Sequence, residues 1–179
     1  LTIPMLMSKK RYKLLAALIG CAVAYGQVAW AQDVTQPGDD IVASSPNSPG
    51  SEGVANAIDN QPTKYLNRDA GDGVTPTGFV VTPGVGLTRV TGLALQSAND
   101  SPDRDPLNVV LQGSNADSAP AWDDAAAWTE IVALVNIESW ETLFPDDNRF
   151  QTQTFPFENL VPYKHYRFEV TTTQGGATQ

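Results

Sequence analysis

Cysteine and histidine are almost absent. Cys21 and His165 are the sole representatives among 179 residues. One thiol cannot close a disulfide within the chain, and one imidazole cannot build a His-rich metal site. Positive charge is also scarce, with 11 Lys and Arg against 20 Asp and Glu, a net of −9. Such a surface repels nucleic acid and anionic membranes, so neither is expected as a partner. No phosphate-cradling glycine loop is present, because Gly71-Asp72-Gly73 lacks both a lysine and a following helix. No nucleophile stands beside an evident base, and His165 is expected on the outward face of a strand, solvated or packed on a sheet. The acidic pairs Asp39-Asp40, Asp123-Asp124 and Asp146-Asp147 fall in loops, where they are read as solvating. An enzyme is therefore not expected.

One long apolar run is present, from Leu14 to Ala31. Ahead of it, starting at Met7 or Met5, stand Lys9, Lys10, Arg11 and Lys13. Behind it Ala29-Trp30-Ala31 gives a small-x-small end. This is the pattern of a secretory signal peptide, residues 1–31, cut before Gln32. A membrane span is disfavoured, since the run is short for one and holds Gly20, Gly26 and Gln27. Leu18-Ile19-Gly20-Cys21 also resembles a lipobox, which would make Cys21 a lipid anchor. Against this, the apolar run continues ten residues beyond Cys21, as ordinary cleavage requires and lipidation does not. Removing the four basic residues ahead of Gln32 leaves 7 basic against 20 acidic side chains, a net of −13. The expected product is a secreted or periplasmic acidic domain without thiols, which something other than a disulfide must hold together.

The exported part shows no sustained helical period and no internal repeat. Residues 32–38 read as a linker and 39–179 as one domain. Short runs rich in Val, Thr, Tyr and Phe, punctuated by Gly, Pro and Asp, predict strands over 41–43, 78–82, 87–97, 107–113, 128–132, 151–157 and 163–173. Residues 116–127 read as a loop or one short helix, and 136–148 as irregular with Trp140 as a possible anchor. In the last strand Tyr166, Phe168 and Val170 share one face, and His165, Arg167 and Glu169 the other. The expected fold is all-β, an antiparallel β-sandwich.

The stretch Val54 to Asn67 concentrates chemistry. A short apolar run delivers Asp59 into a turn with Asn60, Gln61, Pro62 and Thr63. Oxygen-bearing side chains crowded in this way suit a hard cation such as calcium. They equally suit an Asx-turn that satisfies its own backbone.

Four motifs in order resemble discoidin-type domains, also called coagulation-factor C-type domains. Ala57-Ile58-Asp59-Asn60-Gln61-Pro62-Thr63-Lys64-Tyr65 is similar to the family's A-I-D-G-N-x-x-T-x-W. Val90-Thr91-Gly92-Leu93-Ala94-Leu95 resembles its central strand. Val110-Leu111-Gln112-Gly113-Ser114-Asn115 with Trp128-Thr129-Glu130-Ile131 resembles l-x-G-S-N-D-G-x-x-W-t-x-I, and Tyr163-Lys164-His165-Tyr166-Arg167-Phe168 the penultimate strand. The resemblance spans about Asp39 to Thr173 and implies a galactose-binding-like jelly-roll sandwich. Asn60-Gln61 stands where the family has Gly-Asn, and the chain ends before the family's last strand, so a C-terminally truncated sandwich is expected.

The resemblance implies a structural calcium held by Asp59, Thr63 and carbonyls near Asn56 and Gln61. It further implies a non-catalytic binding module that recognises glycan through its end loops. Polar candidates on those loops are Asn67, Arg68, Asn99, Arg104 and Asp105, with an Arg104 ion pair to Asp103 or Asp105 as the competing role. Tyr65 and Trp128 match positions that pack inward in the family, whereas Trp122 and Trp140 sit in loops particular to this chain. Two other readings stay open: an adhesive surface module without a small ligand, and an ancillary domain of a hydrolase.

Overall fold

The Val-, Thr- and Phe-rich runs form strands in a computed structural model that describes residues 32–69, 76–147 and 149–176. Residues 1–31, expected to be a signal peptide and including the lipobox-like stretch at Cys21, lie outside the described residues. In chain order the strands are β1 Asp40–Ala43, β2 Thr77–Thr82, β3 Gly92–Gln96, β4 Pro106–Ser114, β5 Thr129–Leu134, β6 Thr152–Pro156 and β7 His165–Thr173. A single-turn helix, α1, covers Trp140–Leu143, and short 3-10 turns cover Val54–Ile58, Pro102–Arg104 and Ala125–Ala127. One sheet has the order β1-β2-β7-β4-β5 and the other pairs β3 with β6. All the pairings are antiparallel.

The alternation of β7 sets the core. Tyr166 packs with Ile58, Val81, Leu111 and Tyr163, and Phe168 and Val170 pack on a second cluster of Val109, Ile137 and Trp140. Leu93 and Leu95 of β3 and Phe155 of β6 supply the facing wall, so the two sheets bury one another. Two glycines permit close approach. A Cβ on Gly113 would lie 2.3 Å from the Tyr163 ring, and one on Gly78 would lie 1.9 Å from the Phe168 carbonyl oxygen.

The structure corrects three expectations. The single strand expected over 87–97 is divided. Thr88 bridges to Tyr163, and only from Gly92 does the chain pair with β6, because residues 88–92 carry it from one neighbour to another. The β7 face with His165, Arg167 and Glu169 does not point to solvent: His165 and Arg167 are buried, and the segment between β4 and β5 reaches both side chains. Within 136–148 the chain makes α1, whose cap Ser139 accepts the Thr142 amide at 3.2 Å. Trp140 is fully buried there and donates its Nε1–H to the Gln151 carbonyl at 2.7 Å, so it pins the loop.

Antiparallel pairing sorts the connections to two ends. The β2–β3, β4–β5 and β6–β7 loops gather at one end. The β1–β2, β3–β4 and β5–β6 loops gather at the other, as the pairs Ala43↔Phe79, Gln96↔Thr152 and Pro106↔Thr173 require.

Candidate functional site

All nine candidate residues from the sequence fall in two loops of that second end, β1–β2 and β3–β4. They take different roles. Asn67 is buried, and its Nδ2 donates to Ser44 Oγ at 3.2 Å, the Ser45 carbonyl at 3.3 Å and Tyr65 Oη at 3.1 Å. Its Oδ1 accepts from Ser45 Oγ and the Asp69 amide, both at 3.0 Å. With both polar atoms committed inside the protein, Asn67 shapes the loop and has no atom to offer a ligand. Tyr65 packs edge-on against Phe79, and burial raises its phenol pKa although the Asn67 and Ser44 hydrogen bonds oppose this. Arg68 and Asn99 are exposed.

The Asp59 turn is closed by its own side chains. Asp59 Oδ1 accepts the Gln61 amide at 2.9 Å and Oδ2 accepts the Thr63 hydroxyl at 2.5 Å. Asn60 takes φ +57°, a left-handed conformation that asparagine tolerates, which is how this chain dispenses with the glycine of the related motif. Asn56 is turned elsewhere. Its Nδ2 donates to the Ser51 carbonyl at 2.9 Å and the Lys64 carbonyl at 2.8 Å. Calcium takes about six to eight oxygen ligands. Asp59 and Thr63 stand together at this turn, while the Asn56 side chain is turned to the Ser51 and Lys64 carbonyls. Among the described residues no three His, Cys, Asp or Glu side chains cluster to hold a metal.

The β1–β2, β3–β4 and β5–β6 loops build a charged lattice. Lys64 Nζ donates to both Asp100 carboxylate oxygens at 2.8 Å and lies 3.5 Å from Glu52. The Lys64 hydrogen bond is the main reason that the Asp100 carboxyl titrates below its ordinary range. Arg104 does not pair with Asp103 or Asp105; its guanidinium lies 3.9 Å from Asp100, four residues back, and bonds Ser101 Oγ. The turn over Pro102–Arg104 brings positions 100 and 104 to one side. Asp105 is buried and is bound by Arg149 at 2.9 Å, so it too is structural. Burial raises its pKa, and the Arg149 hydrogen bond only partly offsets this. Arg149 also donates to the Asp100 carbonyl at 3.2 Å. Lys64, Arg104 and Arg149 thus face Glu52, Asp100 and Asp105, with Asp103 and Glu141 adding negative charge near Asp105.

Next to this lattice stands Phe150, which sequence reasoning missed. Its ring is exposed, and its backbone is held at φ +58°, with the carbonyl fixed by Gln96 Nε2 at 3.1 Å. A bulky residue in the left-handed region is an outlier of the kind that collects at functional sites. Nothing in the irregular stretch around Phe150 marks it out before folding.

The outer face of the larger sheet holds a second group. Arg167 lies 5.3 Å from the Trp122 ring centroid and 5.5 Å from that of Trp128, and it bonds Gln112 Oε1 and the Trp122 carbonyl. Beside it a cleft of about 470 Å³ is lined by Asp40, Val80, Thr82, Asp117 and His165. Both His165 nitrogens are engaged, Nδ1 with Thr82 Oγ1 at 2.7 Å and Nε2 with the Ala116 carbonyl at 3.2 Å. Since Ala116 can only accept, Nε2 carries a proton, and when the ring is neutral Thr82 donates to Nδ1. That is a structural histidine without a free nitrogen for catalysis.

No family model matches the chain. It is similar to the mouse protein sidekick-1, 31% identical over 98 residues that make up 49% of this chain and 4% of that protein, so it spans a small part of its curated relative. Solved structures are more informative. CpGH89CBM32-5 from Clostridium perfringens, in complex with GalNAc-β-1,3-galactose, superposes with a TM-score of 0.52 at 16% identity, over 78% of this chain and 87% of that one. The family 32 carbohydrate-binding module of Streptococcus pneumoniae EndoD gives 0.53 at 12% identity, over 78% and 86%. The fold is the galactose-binding-like sandwich of family 32 modules. The discoidin resemblance read from four short motifs therefore holds at the level of fold. The galactose-binding-like fold is not confined to binding modules, since an allantoicase superposes at 0.56 with 14% identity, over 77% of this chain and 43% of that one. Among the described residues no helix is long and apolar enough to cross a membrane.

Proposed function

We propose that the chain is an exported, non-catalytic module that binds glycan at the end of the sandwich formed by the β1–β2, β3–β4 and β5–β6 loops. The observation that carries this reading is Phe150, partly exposed at that end and next in the chain to Arg149, which binds Asp100 and Asp105. A sugar offers an apolar face to an aromatic ring and hydroxyls to planar polar groups, and Phe150 with Arg104 and Asn99 supplies both. Two galactose-binding-like neighbours are named as family 32 modules in sugar complexes, which supports the ligand class. One is described as coming from a family 31 glycoside hydrolase, which suits an ancillary role beside a catalytic partner. The export pattern at residues 1–31 supports this reading, since an exported module would meet extracellular glycans.

Glycan-array binding tests the reading. Phe150→Ala is expected to weaken binding about ten- to a hundredfold, the loss of one stacked aromatic surface. Its melting temperature is expected to fall by a few degrees at most, because 38% of the residue's surface is exposed and the remainder is covered. A blank across plant, algal and bacterial glycans would overturn the proposal in favour of an adhesive module. That second reading has its own support in the exposed Val85, Leu87, Leu160 and Val161, on two loops joined by the Thr88–Tyr163 bridge at the opposite end.

A further inference from the structure

The antiparallel register of β3 and β6 fixes which way the backbone of each strand points. The Phe157 amide bonds the Thr91 carbonyl and the Ser97 amide bonds the Gln151 carbonyl, both at 3.0 Å, and the register between them is unbroken. Residues 91, 93, 95 and 97 therefore exchange hydrogen bonds with β6, and the amides and carbonyls of Gly92, Ala94 and Gln96 point the other way. Among the described residues no strand lies on that side. The other strand edges are blunted. β1 carries Asp40, β5 carries Glu130 at a break in its register with β4, and β6 turns Pro156, which has no N–H, to its outer side. β3 has none of these devices: Gly92-Leu93-Ala94-Leu95-Gln96 holds no charge, no proline and no bulge.

We propose that β3 is an interface for a second copy of this chain, pairing antiparallel with the partner's β3 about a two-fold axis at Ala94. The pattern is its own complement. With Ala94 opposite the partner's Ala94, Gly92 faces the partner's Gln96, and every outward amide and carbonyl of both strands is satisfied. The Ala94 side chain is small and exposed, so the two copies meet at the axis without a clash. Leu93 and Leu95 face the core but are only half-buried, and they gain cover when the two-stranded β3–β6 sheet grows to four strands. Continued past the strand, the same register sets the exposed Arg89 against the partner's Asn99, next to the partner's Asp100. Opposite charges thus meet at both ends of a seam that is itself uncharged. Nothing in this pairing depends on glycan being the ligand.

Sedimentation velocity of the full chain tests the seam. The wild-type protein is expected to pass from monomer to dimer across the micromolar range, and a monomer throughout would overturn the proposal. Ala94→Pro removes the N–H that each copy gives at the axis and leaves every bond to β6 in place, at an edge position that tolerates proline. Both central hydrogen bonds are lost, so the dissociation constant is expected to rise about ten- to hundredfold. Should that variant not fold, Ala94→Lys takes its place. The exposed position accepts a lysine in the monomer, but two ammonium groups then oppose each other across the axis, and the same weakening is expected. A dimer as tight in the variant as in the wild type, including one held by the apolar run 14–31, would show that β3 is not the seam.

Discussion

Trp140 shows how one side chain can settle the shape of a loop. It is the most deeply buried aromatic residue of the described chain, it joins Val109 and Ile137 in the core, and its indole N–H satisfies the Gln151 carbonyl. Trp140→Ala should therefore lower unfolding free energy by about 3–5 kcal/mol, the usual result of emptying a large buried aromatic site. Urea titration would check this, and a loss below about 1 kcal/mol would show that the loop does not need its anchor. At this scale the sequence was only partly legible. Asn60 was visible as a departure from a glycine position, and its left-handed φ explains why asparagine suffices. Asn67 and Asp105 looked like ligand contacts because they are polar residues in loops, but burial commits them to Ser45, Tyr65 and Arg149 instead. Phe150 went unnoticed because its significance lies in a backbone angle and in exposure, neither of which is written in residue type.

Among the elements, β7 was the most legible, since its alternation named the core face correctly. Its other face was misread because period-two patterning cannot show that a loop will fold back over a strand. Arg167 carries that closure, held between Trp122 and Trp128 and bonded across to Gln112 of β4. The lattice joining the β1–β2, β3–β4 and β5–β6 loops has a testable order of titration. Burial raises the Asp105 pKa above its usual 3.8, and the Lys64 hydrogen bond lowers that of Asp100 below 3.8. As pH falls, Asp105 should take up its proton first, weakening its hold on Arg149. For a raised carboxylate the folded state binds the proton more tightly than the unfolded chain, so that step favours folding. Asp100 has the opposite sign: its contribution is present above pH 3.8 and disappears as pH falls through its lower folded value. A carboxyl-carbon NMR titration should show Asp105 moving before Asp100, and the reverse order would contradict the lattice.

For the molecule as a whole, fold class was within reach of the sequence because strand-forming runs and turn residues agree with each other from about residue 39 to residue 173. The division of strands between sheets was not, because pairing such as β2 with β7 joins residues about ninety positions apart. The two core clusters share Leu93, so the sheets have no independent interior. Unfolding should be a single cooperative transition, with tryptophan fluorescence and far-ultraviolet circular dichroism tracing coincident curves. Separate midpoints would mean that the β3–β6 sheet detaches alone. The placement of the indoles has one more consequence. Trp122 and Trp128 are stacked on Arg167 over the outer sheet face, whereas Trp140 is hydrogen-bonded to Gln151, the residue that follows Phe150. Among the described residues, then, one indole of three is an optical label wired to one end of the sandwich: whatever displaces the Phe150 segment is felt by Trp140 and not by Trp122 or Trp128.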